Sequence, residues 1–194
     1  MRSIYILLTR SGTLLSQLIA ITTGAAHTHV SISLEPDIVD FYSFARRRAR
    51  LPLPAGLVRE RLSEGYWSRH PGIPCTLLAL PVDDTVYTRI KRRLARMNEH
   101  AADYHYSLLG VLLCGADIVH RRPDHYFCSQ FVGELLAASG AVTLPSDTSL
   151  LHPDDFLALP HAEICFTGTL SELAAAVDPH GPIPVLTAGR EVHP

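Results

Sequence analysis

Short segments in which apolar and polar residues alternate constrain the fold of this chain most, because only a β-strand places every second side chain on one face. The clearest is His29–Leu34 (HVSISL), where three aliphatic residues alternate with one histidine and two serines. Before it, the aliphatic run Ser3–Thr9 predicts a buried strand, and after it Ile38–Phe44 predicts the returning strand of a hairpin around a turn at Glu35–Asp37. The sequence therefore predicts a small antiparallel sheet.

Helical periodicity recurs between and after these strands. The predicted helices cover Thr13–Thr22, a long segment from Asp83 or Asp84 to Ala101, Tyr104–Ile118, Cys128–Ser139, a short helix from Pro153, and Ser171–Val177. Two more predicted strands are Cys75–Pro81 and Ile164–Thr167. This mixture predicts the α+β class, with the sheet packed against helices. We expect one domain over residues 1–178, and a loosely held C-terminal tail over 179–194.

Composition excludes several classes of protein. With 47% apolar residues, 19% charged residues and a net charge of -2 in 194 residues, the chain is neither disordered nor collagen-like. The balance of charge argues against a protein that mainly binds nucleic acid or anionic lipid. The four cysteines include no C-x-x-C pair, which predicts free thiols in a reducing compartment. No segment is typical of a signal peptide or a membrane span, so we expect a cytoplasmic protein.

Cys128 is the strongest candidate for a chemical role. It begins the predicted helix Cys128–Ser139, where free backbone N–H groups and the helix dipole favour an anion. A thiol in this position forms its thiolate more easily, and the same amides stabilise an oxyanion at an attacked carbonyl. A buried, inert cysteine is the competing interpretation of the same position. Cys114, inside an aliphatic run, is typical of that alternative.

His29 is the candidate general base. A base must be held rigidly within reach of the thiol, and a strand within a sheet does this well. His27 lies two residues earlier on the same side of the chain. We favour His29, because the apolar alternation begins immediately after it, whereas His27 is expected to precede the strand.

A third polar group is expected to orient the imidazole from the neighbouring strand. The predicted turn pairs Leu34 with Ile38 and therefore His29 with Ser43, which is our first choice. A register shifted by one residue offers Tyr42, and Asp40 lies farther along the strand.

The order of these motifs resembles the circularly permuted branch of the NlpC/P60 papain-like cysteine hydrolases. The segments that carry the resemblance are THVSISL (28–34), FYSFARR (41–47), AGLVRE (55–60), YHYSLLG (104–110) and FCSQFVGELL (127–136). The permuted branch places the histidine strand before the cysteine helix, as this chain does. The resemblance implies a permuted papain-like fold over residues 3–170, with Cys128 as nucleophile and His29 as base. Relatives often carry Glu, Gln, Asn or His as the third residue, and Ser43 departs from that pattern.

Together, the residues and the resemblance predict a cysteine peptidase or amidase that cleaves a peptide-like or isopeptide-like amide through an acyl-enzyme. Tyr104 and Tyr106 resemble aromatic residues that line the cleft in this family. Ser129 and Gln130 follow the nucleophile and are the other expected substrate-binding residues. No cofactor, metal ion, nucleic acid or membrane span is expected.

Three other kinds of interpretation compete with this prediction: a different function on the same fold, a zinc site, and nucleic-acid binding. The same fold also supports acyl transfer or thioester cleavage, or binding without turnover. Zinc is the second alternative, because His27 and His29 have H-x-H spacing and because His120 and His125 precede Cys128 closely. Nucleic-acid binding is the third, from the arginines of residues 46–50 and those of the helix after residue 84. Neither arginine group contains the interleaved aromatic residues that stacking requires.

Overall fold

An antiparallel sheet organises the molecule. The structure is a computed structural model that describes residues 1–10, 25–35, 37–46 and 55–177. The sheet strands are β1 (Arg2–Thr9), β2 (His29–Ser33), β3 (Phe41–Arg46), β4 (Ala55–Glu60), β5 (Pro74–Val82) and β8 (Glu163–Thr169). Their order is β4-β3-β2-β1-β5-β8, and all neighbours are antiparallel. A separate parallel pair joins β6 (His105–Tyr106) to β7 (His125–Tyr126).

Helices complete the predicted α+β architecture. They are α1 (Gly65–Arg69), α2 (Asp84–Glu99), α3 (Leu108–Cys114), α4 (Cys128–Ser139) and α5 (Leu170–Ala176), with short 3-10 helices at Thr148–Leu150 and Pro153–Ala158. Within the described residues, no helix combines the length and apolar character needed to cross a membrane.

Both faces of the sheet are covered, as alternate residues of β1 illustrate. Ile6 belongs to one core cluster with residues of α2 and α4, whereas Leu7 belongs to a second cluster with residues of α1 and α5. The polar side of β2 is therefore also inside the protein: Ser31 and Ser33 are fully buried. The alternation predicted the strand correctly, but both faces of this strand are buried rather than one being exposed to solvent.

The β2–β3 hairpin differs in register from the prediction. Ile32 pairs with Tyr42, whereas the predicted turn would have placed Asp40 opposite Ile32. The chain does not extend directly from the turn, because Ile38 adopts a φ of 41° and donates its amide to the Glu35 carbonyl. The left-handed conformation of Ile38 delays β3 to Phe41, so the register moves by two residues.

Other boundaries follow the predictions to different extents. The strands Ser3–Thr9 and Cys75–Pro81, the long helix after Asp83 and the helix Cys128–Ser139 are confirmed. The continuous helix over Tyr104–Ile118 is wrong, since β6 occupies its start and α3 ends at Cys114. In β6, His105 and Ser107 donate backbone hydrogen bonds to the chain around β7, and these inter-strand bonds replace the expected first helical turn. The sequence interpretation did not identify β4, α1 or β7.

Some predictions fall on residues that the structure does not describe. They are the helix Thr13–Thr22, the tail at 179–194 and most of the arginine run at 46–50. These lie outside the described residues, and so they stay predictions.

Candidate functional site

Cys128 is the first residue of α4, as predicted. Phe127 precedes it in an extended conformation and accepts the first backbone hydrogen bond of the helix from Phe131. The side chain of Cys128 belongs to the main core cluster, and the residue is 8% exposed. The sulfur therefore lies at a helix N-terminus inside a packed junction, with the unpaired N–H groups of the first turn close by.

Contacts along α4 fix this N-terminus. Ser129 Oγ donates to the carbonyl oxygen of Leu151 at 2.5 Å. One turn farther, Glu134 accepts from Arg93 of α2 at 2.6 Å. Gly133 allows the side chain of Leu151 to approach, since a Cβ at this position would overlap Leu151 Cδ1. Contacts with Leu151 and with Arg93 consequently fix the position of the helix that carries Cys128.

His29 lies between a thiol and a carboxylate. Its Nε2 is 2.9 Å from Oε2 of Glu60, the last residue of β4. The His29 side chain is 12% exposed and that of Glu60 is 18% exposed, so water screens the pair weakly. The thiol of Cys128 also lies close enough to the ring to raise the pKa of His29. Because Nε2 faces the carboxylate, Nδ1 is the ring atom left for the sulfur.

Electrostatics at His29 favour the imidazolium. Burial lowers the pKa of His29, but the charge of Glu60, hydrogen bonds with Cys128 and Glu60, and the charge of Cys128 together raise that pKa well above its ordinary value. The nearby charges and hydrogen-bond acceptors thus outweigh desolvation. The arrangement therefore stabilises a proton on the histidine.

Ser43, the predicted orienting residue, has a different partner. It is fully buried, and its Oγ donates to the carbonyl oxygen of Val30 at 2.6 Å. The contact to the imidazole comes from Glu60 instead, and the observed hairpin register removes the argument that placed Ser43 opposite His29. Glu60 was missed because β4 was not identified, although the AGLVRE segment that ends at Glu60 was part of the resemblance.

The two predicted tyrosines pack against the core cluster that contains Cys128. Tyr106 packs against the main core, and burial, followed by the charge of Cys128, raises the pKa of its hydroxyl strongly. Tyr106 therefore presents a neutral hydroxyl near the sulfur. Tyr104 contacts the rings of Phe44 and Tyr126, with centroids 6.4 and 6.2 Å away.

Ser129 and Gln130 are buried rather than open to a cleft. They are 1% and 3% exposed. The Ser129 hydroxyl is engaged by Leu151, so its backbone amide is the group that fits the predicted oxyanion contact. Among the described residues, Oε1 of Gln130 is one of five buried side-chain oxygens without a hydrogen-bond partner.

The other cysteines contrast with Cys128. All four are free and buried, as the spacing predicted. Burial raises the pKa of Cys75 to about 12 and those of Cys114 and Cys165 to about 11, with nearby acidic groups adding to the effect for the first two. Neutral thiols at these positions are poor nucleophiles. Cys114 is thus the buried residue that its aliphatic run predicted, and Cys75 and Cys165 are buried in the same way.

His27 precedes β2, as expected, and does not join His29 in a common site. Its ring contacts Asp154 and Thr76. Across the described ranges, no cluster of three or more His, Cys, Asp or Glu side chains has a geometry suited to a metal ion. The zinc alternative therefore receives no support from the arrangement of these histidines.

Neither the protein-family models nor the curated proteins with which the chain was compared match it. The function is therefore inferred from the geometry of the site and from the motifs in the sequence.

Proposed function

We propose that the protein is a cysteine hydrolase that cleaves an amide bond through Cys128, His29 and Glu60. One observation carries this proposal: the imidazole of His29 bonds a partly buried carboxylate through Nε2 and lies close to the thiol at a helix N-terminus. A nucleophile, a base and a group that orients the base form the arrangement that covalent hydrolysis requires. Here Glu60 takes the orienting role, which also agrees with the residue types common in the resembled family.

In the proposed reaction, the Cys128 thiolate attacks the carbonyl carbon of a peptide-like or isopeptide-like amide. The backbone amides at Cys128 and Ser129 bind the oxyanion that forms. Protonated His29 then donates its proton to the leaving nitrogen, the carbon–nitrogen bond breaks, and a thioester to Cys128 remains. His29, now neutral, takes a proton from water, which attacks the thioester and releases the acid. Glu60 keeps the ring oriented and stabilises its cationic form throughout.

The proposed fold is the permuted papain-like arrangement of the NlpC/P60 family. The histidine strand precedes the cysteine helix in the chain, and the antiparallel sheet packs against that helix, which supports the proposal. We also propose that the protein acts in the cytoplasm, because its four cysteines are free.

A thiol-directed probe tests the proposal. Iodoacetamide at limiting concentration should alkylate Cys128 in the native protein faster than the other three cysteines, as measured by mass spectrometry of the cysteine-containing peptides. His29→Ala should slow this reaction, whereas Cys114→Ala, which removes a buried thiol with a raised pKa, should leave it unchanged. Equal reactivity of Cys128 in the wild type and in His29→Ala would refute the pair.

Substrate turnover is the second part of the test. The purified protein is incubated with a panel of peptides, isopeptides and peptidoglycan fragments, and intact mass is followed for a thioester adduct on Cys128. An adduct that disappears with release of the acid supports hydrolysis. Failure of Cys128→Ala to abolish turnover would refute the assignment.

Acyl transfer or thioester cleavage is the second candidate function, and the surface of α3 favours it. Leu108, Leu109 and Leu112 are 54%, 55% and 52% exposed, while the inner side of the same helix packs on Phe127, next to the nucleophile. An apolar surface beside the site suits an apolar acyl group. Faster turnover of an alkyl thioester than of any peptide, together with a raised KM for that thioester in Leu112→Gln, would favour this candidate over amide hydrolysis.

A further inference from the structure

A second histidine near the site is held by a complete chain of hydrogen bonds. Nδ1 of His27 lies 2.6 Å from Oδ1 of Asp154, and Nε2 lies 3.1 Å from Oγ1 of Thr76. Asp154 also accepts the backbone N–H groups of Ala26 at 2.7 Å and of His27 at 3.1 Å. One carboxylate thus fixes both the backbone and the ring of the residues just before β2, and hydrogen bonds to a charged group are the stronger kind.

The segment that carries Asp154 also contacts the nucleophile helix. Leu151, three residues earlier, accepts the hydroxyl of Ser129, the neighbour of Cys128. Pro153 lies between the two contact points and restricts the backbone there. We call residues 151–154 the brace, because one end bonds α4 and the other bonds residues 26 and 27, just before the strand that carries His29.

We propose that Asp154 and His27 are positioning residues that hold His29 against Cys128 through the brace. This inference rests on the proposed function. Neither residue contacts the reacting atoms. Instead, each helps to fix the distance between α4, which carries Cys128, and β2, which carries His29. Proton transfer between sulfur and imidazole depends steeply on that separation, and a misplacement of about 1 Å far from the reacting atoms can reduce a rate by as much as 100-fold. A short covalent segment bonded to both elements limits such displacement.

A pair of adjacent carboxylates provides a matched test. Asp154→Asn removes the charge that binds residues 26 and 27, and Asp155→Asn makes the same change one residue later. Asp155 is exposed, and its carboxylate accepts the backbone N–H of His152, the residue before the 3-10 helix. The same change at Asp155 therefore alters a contact within the brace and keeps the Asp154 carboxylate that bonds residues 26 and 27. The readout is the rate of Cys128 alkylation by iodoacetamide as a function of pH, with circular dichroism and thermal melting as measures of folding.

We expect Asp154→Asn to alkylate about tenfold more slowly near neutral pH, with the inflection of its profile moved to higher pH, because the thiolate–imidazolium pair is less well aligned. Asp155→Asn should reproduce the wild-type profile. The inference is overturned if Asp154→Asn, folded, also reproduces that profile. A purely structural role would lower the melting temperature without moving the inflection, and that result also overturns it.

If Asp154→Asn does not fold, Thr76→Val is a second variant that tests the same inference. It removes only the hydroxyl that bonds Nε2 of His27 and nearly preserves side-chain volume. A slower alkylation rate with a shifted inflection supports the inference, and an unchanged profile overturns it. Failure of the proposed function is a different result: in that case the wild-type protein itself shows no preferential alkylation of Cys128 and no dependence on His29.

Discussion

Glu60→Gln is the change that most directly tests the electrostatics of the site. Gln is nearly isosteric with Glu, so the substitution removes one negative charge from Nε2 of His29 and leaves the packing in place. Two unit charges 2.9 Å apart attract by about 6 kcal/mol at an effective dielectric constant of 20. Burial of both partners offsets much of this attraction, so a net value of about 1.5–3 kcal/mol for a charged hydrogen bond is the better guide.

This energy predicts a change in the pKa of His29. The loss of this energy should lower the pKa of His29 clearly in Glu60→Gln, because each pKa unit corresponds to about 1.4 kcal/mol. The direction follows because Glu60 raises the pKa of His29 in the native protein, through its charge and its hydrogen bond. With a less stable imidazolium, the thiolate of Cys128 also loses stability, and alkylation below neutral pH should slow about 10-fold to 100-fold.

Nuclear magnetic resonance of the ¹³C-labelled imidazole follows the titration of His29, and iodoacetamide kinetics follow Cys128. Glu64→Gln is the matched control, because Glu64 lies four residues later, has a side chain that is 63% exposed, and pairs with Arg61 rather than with a histidine. A titration midpoint of His29 that is the same in the wild type, Glu60→Gln and Glu64→Gln would refute the reasoning.

Three further substitutions test how residues of the site and of its surroundings contribute to the stability of the protein. His29→Gln should lose stability mainly below the ordinary histidine pKa of about 6.5; its deficit relative to wild type should vanish as pH rises through the raised pKa of His29, as urea unfolding at a series of pH values would show. Gly133→Ala should destabilise by about 1–3 kcal/mol in urea unfolding, because the added Cβ overlaps Leu151. Ser43→Ala should destabilise by about 1 kcal/mol, through loss of its bond to Val30, and should leave the pH profile of Cys128 alkylation unchanged.

Each of these three predictions has a result that contradicts it. A stability deficit of His29→Gln that grows as pH rises would contradict the expected pH dependence. For the glycine, Gly72→Ala is the control, since a Cβ there meets no atom within 4 Å; equal unfolding free energies for both glycine variants would show that Leu151 yields freely. A shifted alkylation profile in Ser43→Ala would restore Ser43 as a residue that acts on His29.

The sequence by itself determined the local structure around both reactive residues. Period-two alternation located β2, and an apolar stripe at helical spacing located α4, because both patterns report the face that a segment buries. These two elements place Cys128 at the N-terminus of a helix and His29 at the first residue of a strand. Local sequence could suggest this pair, since each residue has a characteristic position in its own element.

Only the tertiary structure decided which carboxylate contacts His29. The two-residue register change came from the left-handed conformation of Ile38, which the period-two pattern does not encode, since a shift of two preserves both faces. Glu60 reaches the imidazole from a strand 31 residues away in the chain. The bonds of Asp154 to residues 26 and 27 span more than 120 residues. Such contacts depend on how separate elements pack, and no local period in the sequence records that packing.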